Sequence, residues 1–315
     1  MEGAFEHGGP PFASEEINER LGLRETPKKR KPRKVEILEE AGDQSAAAAT
    51  AIGDAFAEEG HVFEAIGAYK KAASQEARNP DHLVRLADAY TFADMPLKAI
   101  THYKRALKRN PRRPDTYFGL AETYRKFGRT NTALIYYHKA ITLDENQPFY
   151  RYRLGEVLCE AGLFQDGLAE LQNAVYLDPE EPFYHFWLGD TYLRLGRVPE
   201  ATLALEEAVV LSPYDDYFFA KLGAAYIRSN HPERAVRVLR AALHLRPGIT
   251  AYHHLIAGAY TSLGMTEHAE KHLAAAGDVD DYSKKFIAKL FSVNENSASS
   301  IEPGPETSAS FPSPS

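Results

Sequence analysis

The sequence predicts an all-α protein built of stacked antiparallel helix pairs, a solenoid flanked by unstructured ends. Three observations predict it. Shifted by 34 residues, the chain aligns with itself, so that Leu188-Gly189 falls on Leu154-Gly155 before it and on Leu222-Gly223 after it; one fixed period signals a stacked array. Within each period, apolar residues recur at helical spacing on two segments. A residue that tolerates the left-handed conformation separates the two segments, and proline often follows the second.

In chain order, residues 1–45 are rich in proline, glycine and charge and are expected to form an unstructured leader, with one marginal amphipathic stretch in SEEINERLGL. Seven repeats beginning at Ala46, Pro80, Pro114, Pro148, Pro182, Asp216 and Thr250 then fill residues 46–283 without insertion. Position 8 is small where two helices approach: Gly53, Ala87, Ala121, Gly155, Gly189, Gly223 and Ala257. Position 20 on the second helix is small for the same reason, giving Ala65, Ala99, Ala133, Gly167, Ala201, Ala235 and Ala269. Position 11 (Phe56, Tyr90, Tyr124, Leu158, Tyr192, Tyr226, Tyr260) and position 24 (Tyr69, Tyr103, Tyr137, Leu171, Leu205, Leu239, Leu273) fill the space between the helices. Position 15 is Gly, Asp94 or Asn230, the residue types that end a helix with positive φ. Pro96 and Pro232 suit the first turn of a second helix, and Pro111, Pro179, Pro213 and Pro247 stop one.

A 34-residue helix-turn-helix unit with these residues at these offsets resembles the tetratricopeptide repeat, over about three quarters of the chain. The resemblance implies a right-handed superhelix and a concave groove that binds a segment of another protein. One departure is position 4, where the family's Trp is replaced by Ala49, Leu83, Tyr117, Arg151, His185, Phe219 and His253. After the array, Tyr282, Phe286, Ile287 and Leu290 make one apolar stripe with Lys284, Lys285 and Lys289 facing water, which predicts a capping helix over 284–291. Residues 292–315 read as a disordered tail.

Composition narrows the function classes. No run approaches the roughly 18 apolar residues of a membrane span, and the N-terminus lacks a basic start and an apolar h-region, so the expectation is a cytoplasmic protein with no membrane contact. A eukaryotic source would add the nucleus. The single cysteine, Cys159, excludes a disulfide framework and a cysteine-based zinc cage. His268 and His272 stand i,i+4 but lack the HExxH arrangement, and no phosphate loop or G-x-S-x-G elbow occurs. No enzyme activity, metal or cofactor is expected.

The first-helix positions opposite the packing face, 2, 5, 6, 9, 12 and 13, line the groove in the family this chain resembles. Here they give an aromatic row of Phe118, Tyr152 and Phe186 at position 5, Phe149, Phe183 and Tyr217 at position 2, and Trp187 at position 6. Aromatics are the usual anchors of protein-binding surfaces, although position 2 is the most exposed to capture by packing on a neighbouring repeat. Position 9 gives an acidic row, Asp54, Asp88, Glu122, Glu156 and Asp190; Glu122 with Lys126 and Asp190 with Arg194 are spaced as i,i+4 pairs. The Lys and Asn that grip a chaperone's C-terminal carboxylate in this family are missing at positions 5 and 9. Repeats 2 and 3 hold 12 basic and 7 acidic residues, repeats 4 and 5 hold 4 and 12. The expected partner is therefore a protein or peptide segment carrying basic and apolar residues, and the expected function a scaffold or adaptor.

Two features support other readings. The leader run Lys28, Lys29, Arg30, Lys31, Arg33 and Lys34 reads as a solvated charge run, an import signal, a nucleic-acid contact or a ligand for the chain's own acidic repeats. A second basic patch, Lys104, Arg105, Lys108, Arg109, Arg112 and Arg113, closes repeat 2. Together they make a nucleic-acid-associated regulator the alternative, and self-association through oppositely charged segments a third reading.

Overall fold

The computed structural model describes residues 31–291, and among these every regular element is a helix. The chain divides into two compact units, Met1–Pro111 and Arg112–Ser315. No described helix is long and apolar enough to cross a membrane.

The first unit contains α1 (Arg33–Glu40), α2 (Ala46–Glu58), α3 (Val62–Gln75), α4 (Pro80–Phe92) and α5 (Pro96–Arg109). Helices α2 with α3 and α4 with α5 are the first two repeats, and α4 also packs on α3. Helix α1 corrects the expectation of an unstructured leader up to residue 45. It packs on α2 and buries Val35 completely, so a short amphipathic segment covers the exposed start of the array. Three of the expected leader cations, Lys28, Lys29 and Arg30, lie outside the described residues, as does SEEINERLGL.

The second unit runs α6 (Pro114–Lys126), α7 (Thr130–Leu143), α8 (Pro148–Glu160), α9 (Phe164–Leu177), α10 (Pro182–Arg194), α11 (Val198–Leu211), α12 (Asp216–Arg228), α13 (Pro232–Leu245), α14 (Thr250–Ser262), α15 (Thr266–Ala276) and α16 (Asp281–Leu290). Each repeat pairs a first helix with a second, and each second helix packs on the next first helix. The small positions do what their spacing demands. A Cβ on Gly189 would lie 2.6 Å from Leu205 Cγ, and one on Gly167 would lie 2.9 Å from the Gly155 carbonyl oxygen. Asn230 joins the turn glycines with φ of 58°, the left-handed conformation its position predicts.

The C-terminal helix departs from the expected cap. It begins at Asp281, because Asp280 accepts the Ser283 amide at 2.6 Å as an N-cap. Leu290 is fully buried and Phe286 and Ile287 are half-buried, but Tyr282 is exposed. Instead of closing the end of the array over α15, the helix packs on the first helices α14 and α12. Leu273 on α15, expected inside, stays 47% exposed.

Candidate binding groove

Within the second unit the first helices of successive repeats approach one another, α8 with α10, α10 with α12 and α12 with α14. Their shared face is the candidate groove. The aromatic row divides on it by position, and against expectation position 5 is the one drawn into packing. Phe118 stacks on Tyr150 with ring centroids 4.9 Å apart, Tyr152 lies 5.2 Å from Tyr184, and Phe186 stacks on Phe218 at 4.7 Å. In each case the position-5 ring meets the position-3 ring of the next repeat. Tyr150, Tyr184 and Phe218 are buried, as is Phe186, so these stacks bind repeat to repeat. Burial and nearby acids push the Tyr184 hydroxyl up to about 12.

Position 2 is where apolar surface remains open. Phe149 is 44% and Phe183 is 50% exposed. Phe149 lies 5.9 Å from the half-buried Tyr152, and Phe183 meets Phe218 edge-on at 5.5 Å. Tyr217, the third of this set, is covered instead: Phe286 packs edge-on at 5.9 Å and the Lys289 ammonium sits 5.6 Å above its ring.

The acidic row is bound from within. Arg153 reaches across one repeat to Glu122 at 2.7 Å, and Lys221 reaches likewise to Asp190, which also accepts from Arg194 Nε at 2.8 Å. The first unit repeats the pattern, with Arg85 on Asp54 at 2.6 Å. Arg153, Lys221 and Arg85 each stand at position 6, 31 residues after the acid, whereas Arg194 follows Asp190 by one turn of the same helix. The position-24 tyrosines add a second tie 15 residues on, Tyr69 to Asp54, Tyr103 to Asp88 and Tyr137 to Glu122. Glu122 is thus held by Arg153, Tyr137 and Arg125; the pair expected with Lys126 is replaced by these. Burial alone would raise the Glu122 carboxyl, but Arg153, Tyr137 and Arg125 hold it below the usual range. Asp190 is treated the same way by Lys221 and Arg194. The i,i+4 pair of Asp190 with Arg194 forms as its spacing predicts.

Glu156 is the exception. Its carboxylate bonds to Arg153, three residues back and already shared with Glu122. Burial pushes the Glu156 carboxyl up, Arg153 pulls against this, and Glu160 adds repulsion. Burial and the Glu156 carboxylate push the Tyr152 hydroxyl up, while Arg153 and the half-buried Trp187 pull against this. Beside them a pocket of about 300 Å³ is lined by Cys159, Glu160, Phe164, Trp187 and Arg194. Cys159 itself is buried, its sulfur 3.2 Å from the Thr191 hydroxyl, and burial pushes its thiol up, which leaves it a packing residue.

Three residues that the sequence reading passed over complete the face. Lys221, 1% exposed, donates to the Lys289 carbonyl at 2.9 Å, and Arg228 donates to the Leu193 carbonyl at 3.0 Å and the Phe291 carbonyl at 3.2 Å. Two cationic side chains thus meet the negative end of the α16 dipole. Arg153 is the third, and the signal that could have found it is the 31-residue offset between acid and cation. Elsewhere, Lys31 and Lys34 of the leader pair with Glu39 and Glu58 at 2.8 and 2.9 Å, on the surface. His272 faces His253, Nδ1 to Nδ1 at 3.0 Å, and among the described residues no three ligating side chains converge as a metal site requires.

A unit of paired helices whose first helices share one lined face defines a helical-repeat protein of the kind that presents a groove. Family models described as tetratricopeptide repeat match residues 152–216 and 102–135. The chain is a tetratricopeptide-repeat protein. Among solved structures it is similar to a chain of the Cut9-Hcn1 hetero-tetramer of the APC/C, at 19% identity and a TM-score of 0.57, covering 71% of this chain and 44% of that one. It is also similar to pilF of Pseudomonas aeruginosa, at 16% identity and a TM-score of 0.55, covering 67% and 97%. The chain thus spans less than half the length of the first, and both likenesses are of fold. No curated protein matches the sequence.

Proposed function

We propose that this chain is a non-enzymatic scaffold or adaptor that holds an apolar and basic segment of another protein against the first helices α8 and α10. The observation that carries the reading is a half-filled face. On α12 and α14 the face already receives an amphipathic helix, α16, whose Phe286 packs between Tyr217 and Tyr252 at 5.9 and 5.8 Å. One and two repeats back, the residues equivalent to Tyr217 are Phe183 and Phe149, both open to solvent. Exposed aromatics flanked by charge are what a partner's anchor side chains bury. The acidic row that suggested a basic partner is mostly neutralised by the chain's own cations, so apolar burial supplies affinity and charge supplies register.

Phe149→Ala with Phe183→Ala tests this. Full-length native and double-variant protein are used for affinity capture from native extract, with circular dichroism checking that the variant keeps its helix content. Partners held by the native chain and lost by the variant support the groove; identical captures refute it.

A further inference from the structure

In the second unit, acid and cation come and go together at each step of the groove, with one exception. Glu122 has Arg153 at the 31-residue offset and Asp190 has Lys221. Where the acid is replaced by Ala224, the residue at that offset is Leu255, so neither charge is present. Glu156 breaks the rule: at the offset stands Trp187, and at the 15-residue offset, where Tyr137 serves Glu122, stands Leu171. The carboxylate keeps neither of the ties that hold Glu122. It shares Arg153 with Glu122, and Glu160 follows one turn later. Locally, three carboxylates, Glu122, Glu156 and Glu160, face two guanidinium groups, Arg125 and Arg153. Arg194 lines the adjoining pocket, but its Nε is committed to Asp190.

We propose that Glu156, with Trp187 at the offset where its neighbours have a cation, receives one lysine or arginine from the protein segment bound in the groove. The inserted cation takes the place that Arg153 and Lys221 fill at the neighbouring steps. Glu156 supplies the charge-assisted hydrogen bond. Trp187 supplies a ring face for the cation, and an indole is the best of the aromatic faces for this. The stem of a lysine or arginine would run over the apolar wall that Tyr152 and Trp187 offer. The partner chemistry is thus an aromatic or aliphatic anchor for Phe149 and Phe183 plus one cation at a fixed spacing from it. This rests on the groove reading above and adds the residue type the partner must carry.

The test is panning of a phage-displayed library of random dodecapeptides on the full chain, on Glu156→Gln and on Trp187→Arg. The native chain should enrich peptides with Lys or Arg at one fixed distance from an aromatic. Trp187→Arg closes the step from within and should enrich aromatics without that cation, as should Glu156→Gln. For a synthetic peptide from the native pool, norleucine in place of the cation should weaken binding about ten-fold on the native chain and less than about two-fold on Glu156→Gln, by the strength of one partly buried charge-assisted bond. A native pool that has the aromatic but no cation bias overturns this proposal and leaves the groove standing. So do equal losses on native and Glu156→Gln protein. Selected binding that is indifferent to Phe149→Ala with Phe183→Ala, or a library that yields no binders, overturns both readings. A free-protein measurement stands apart from any ligand: neutralising a carboxylate that lacks its ladder ties should not lower the melting temperature, so Glu156→Gln should match or exceed the native value while Glu122→Gln falls below it. The reverse order overturns the open step.

Discussion

Lys221→Met removes the most deeply buried charge in the groove. The ammonium is 1% exposed, paired with Asp190 and bonded to the Lys289 carbonyl at 2.9 Å. Without it, Asp190, itself 4% exposed, keeps Arg194 at 2.8 Å and loses its other ion-pair partner. Stranding one charge of a buried pair costs about 3–5 kcal/mol; the retained arginine puts the expectation near the lower end, about 3 kcal/mol. In a chain of this size each kcal/mol moves the melting temperature by about 2–4 °C, so the expected fall is about 6–12 °C. Trp187, the only tryptophan, lies in the adjoining repeat and reports the transition by fluorescence beside far-ultraviolet circular dichroism. Hydrogen exchange should quicken in α16, whose C-terminal carbonyl loses its tether. Adding Asp190→Leu to Lys221→Met should recover most of the loss, because a buried pair replaced on both sides is close to neutral. A melting temperature within 1 °C of native, or a double variant less stable than the single, would refute the assignment of a buried, mutually dependent pair.

Other positions give separate expectations. Phe186→Ala should cost about 3–5 kcal/mol because the ring is buried against Phe218, whereas Phe183→Ala, half exposed, should change stability by under about 1 kcal/mol; chemical denaturation of both compares them directly, and equal losses would contradict the division of the row. Gly189→Val should destabilise strongly, since even its Cβ would lie 2.6 Å from Leu205 Cγ, and a native-like melting temperature would contradict the close helix approach. The pH dependence has two opposed parts. Glu122 and Asp190 have carboxyls lowered from 4.5 and 3.8, so their contribution is full above those values and is lost as pH falls through the folded ones. Glu156 is raised from 4.5, so its contribution is present below that value and is lost as pH rises through the folded one. The melting temperature of Glu156→Gln relative to native should therefore be highest near neutrality and converge on native near pH 4, and a difference that grows on acidification would contradict it.

What was legible in the sequence follows from which interactions repeat within 34 residues. Gly155, Gly189 and Gly223 sit where a side chain cannot, and the period exposes them; the bounds of the seven helix pairs follow from the same register. The division of the aromatic row was not legible, because Phe118 and Phe186 are drawn into packing by Tyr150 and Phe218, each 32 residues on in the next repeat. Helical periodicity inside one repeat places positions 2 and 5 on one face and cannot rank them. Helix α1 was hidden because its helical pattern is short and embedded among lysines and prolines, and only contact with α2 makes Val35 a core residue. The place of α16 was hidden for a related reason. A stripe of Phe286, Ile287 and Leu290 says that something must cover it, and whether that is the end of α15 or the face of α12 and α14 depends on Lys221 and Arg228, more than sixty residues away.

The distribution of charge also has to be separated from its amount. Most of the surplus acid in repeats 4 and 5 stands outside the groove: Asp166 and Glu170 on α9, Glu200, Glu206 and Glu207 on α11, and Asp178, Glu180, Glu181 and Asp215 in the turns. On the first helices α8 and α10, Glu156 shares Arg153 with Glu122, Glu160 lies 3.8 Å from Arg125, and Asp190 is paired with Lys221 and Arg194. Composition alone would make the groove an acid trap for any basic peptide. Pairing makes it nearly neutral apart from the step at Glu156, so on the proposed reading the outer acids would act at a distance, over roughly 8 Å at physiological salt, and speed the approach of a basic segment. On the same reading, selection among basic segments would fall to contact: whether an aromatic reaches Phe183 or Phe149 while a cation reaches Glu156. Added salt should accordingly slow association and leave the preference between two competing segments largely unchanged.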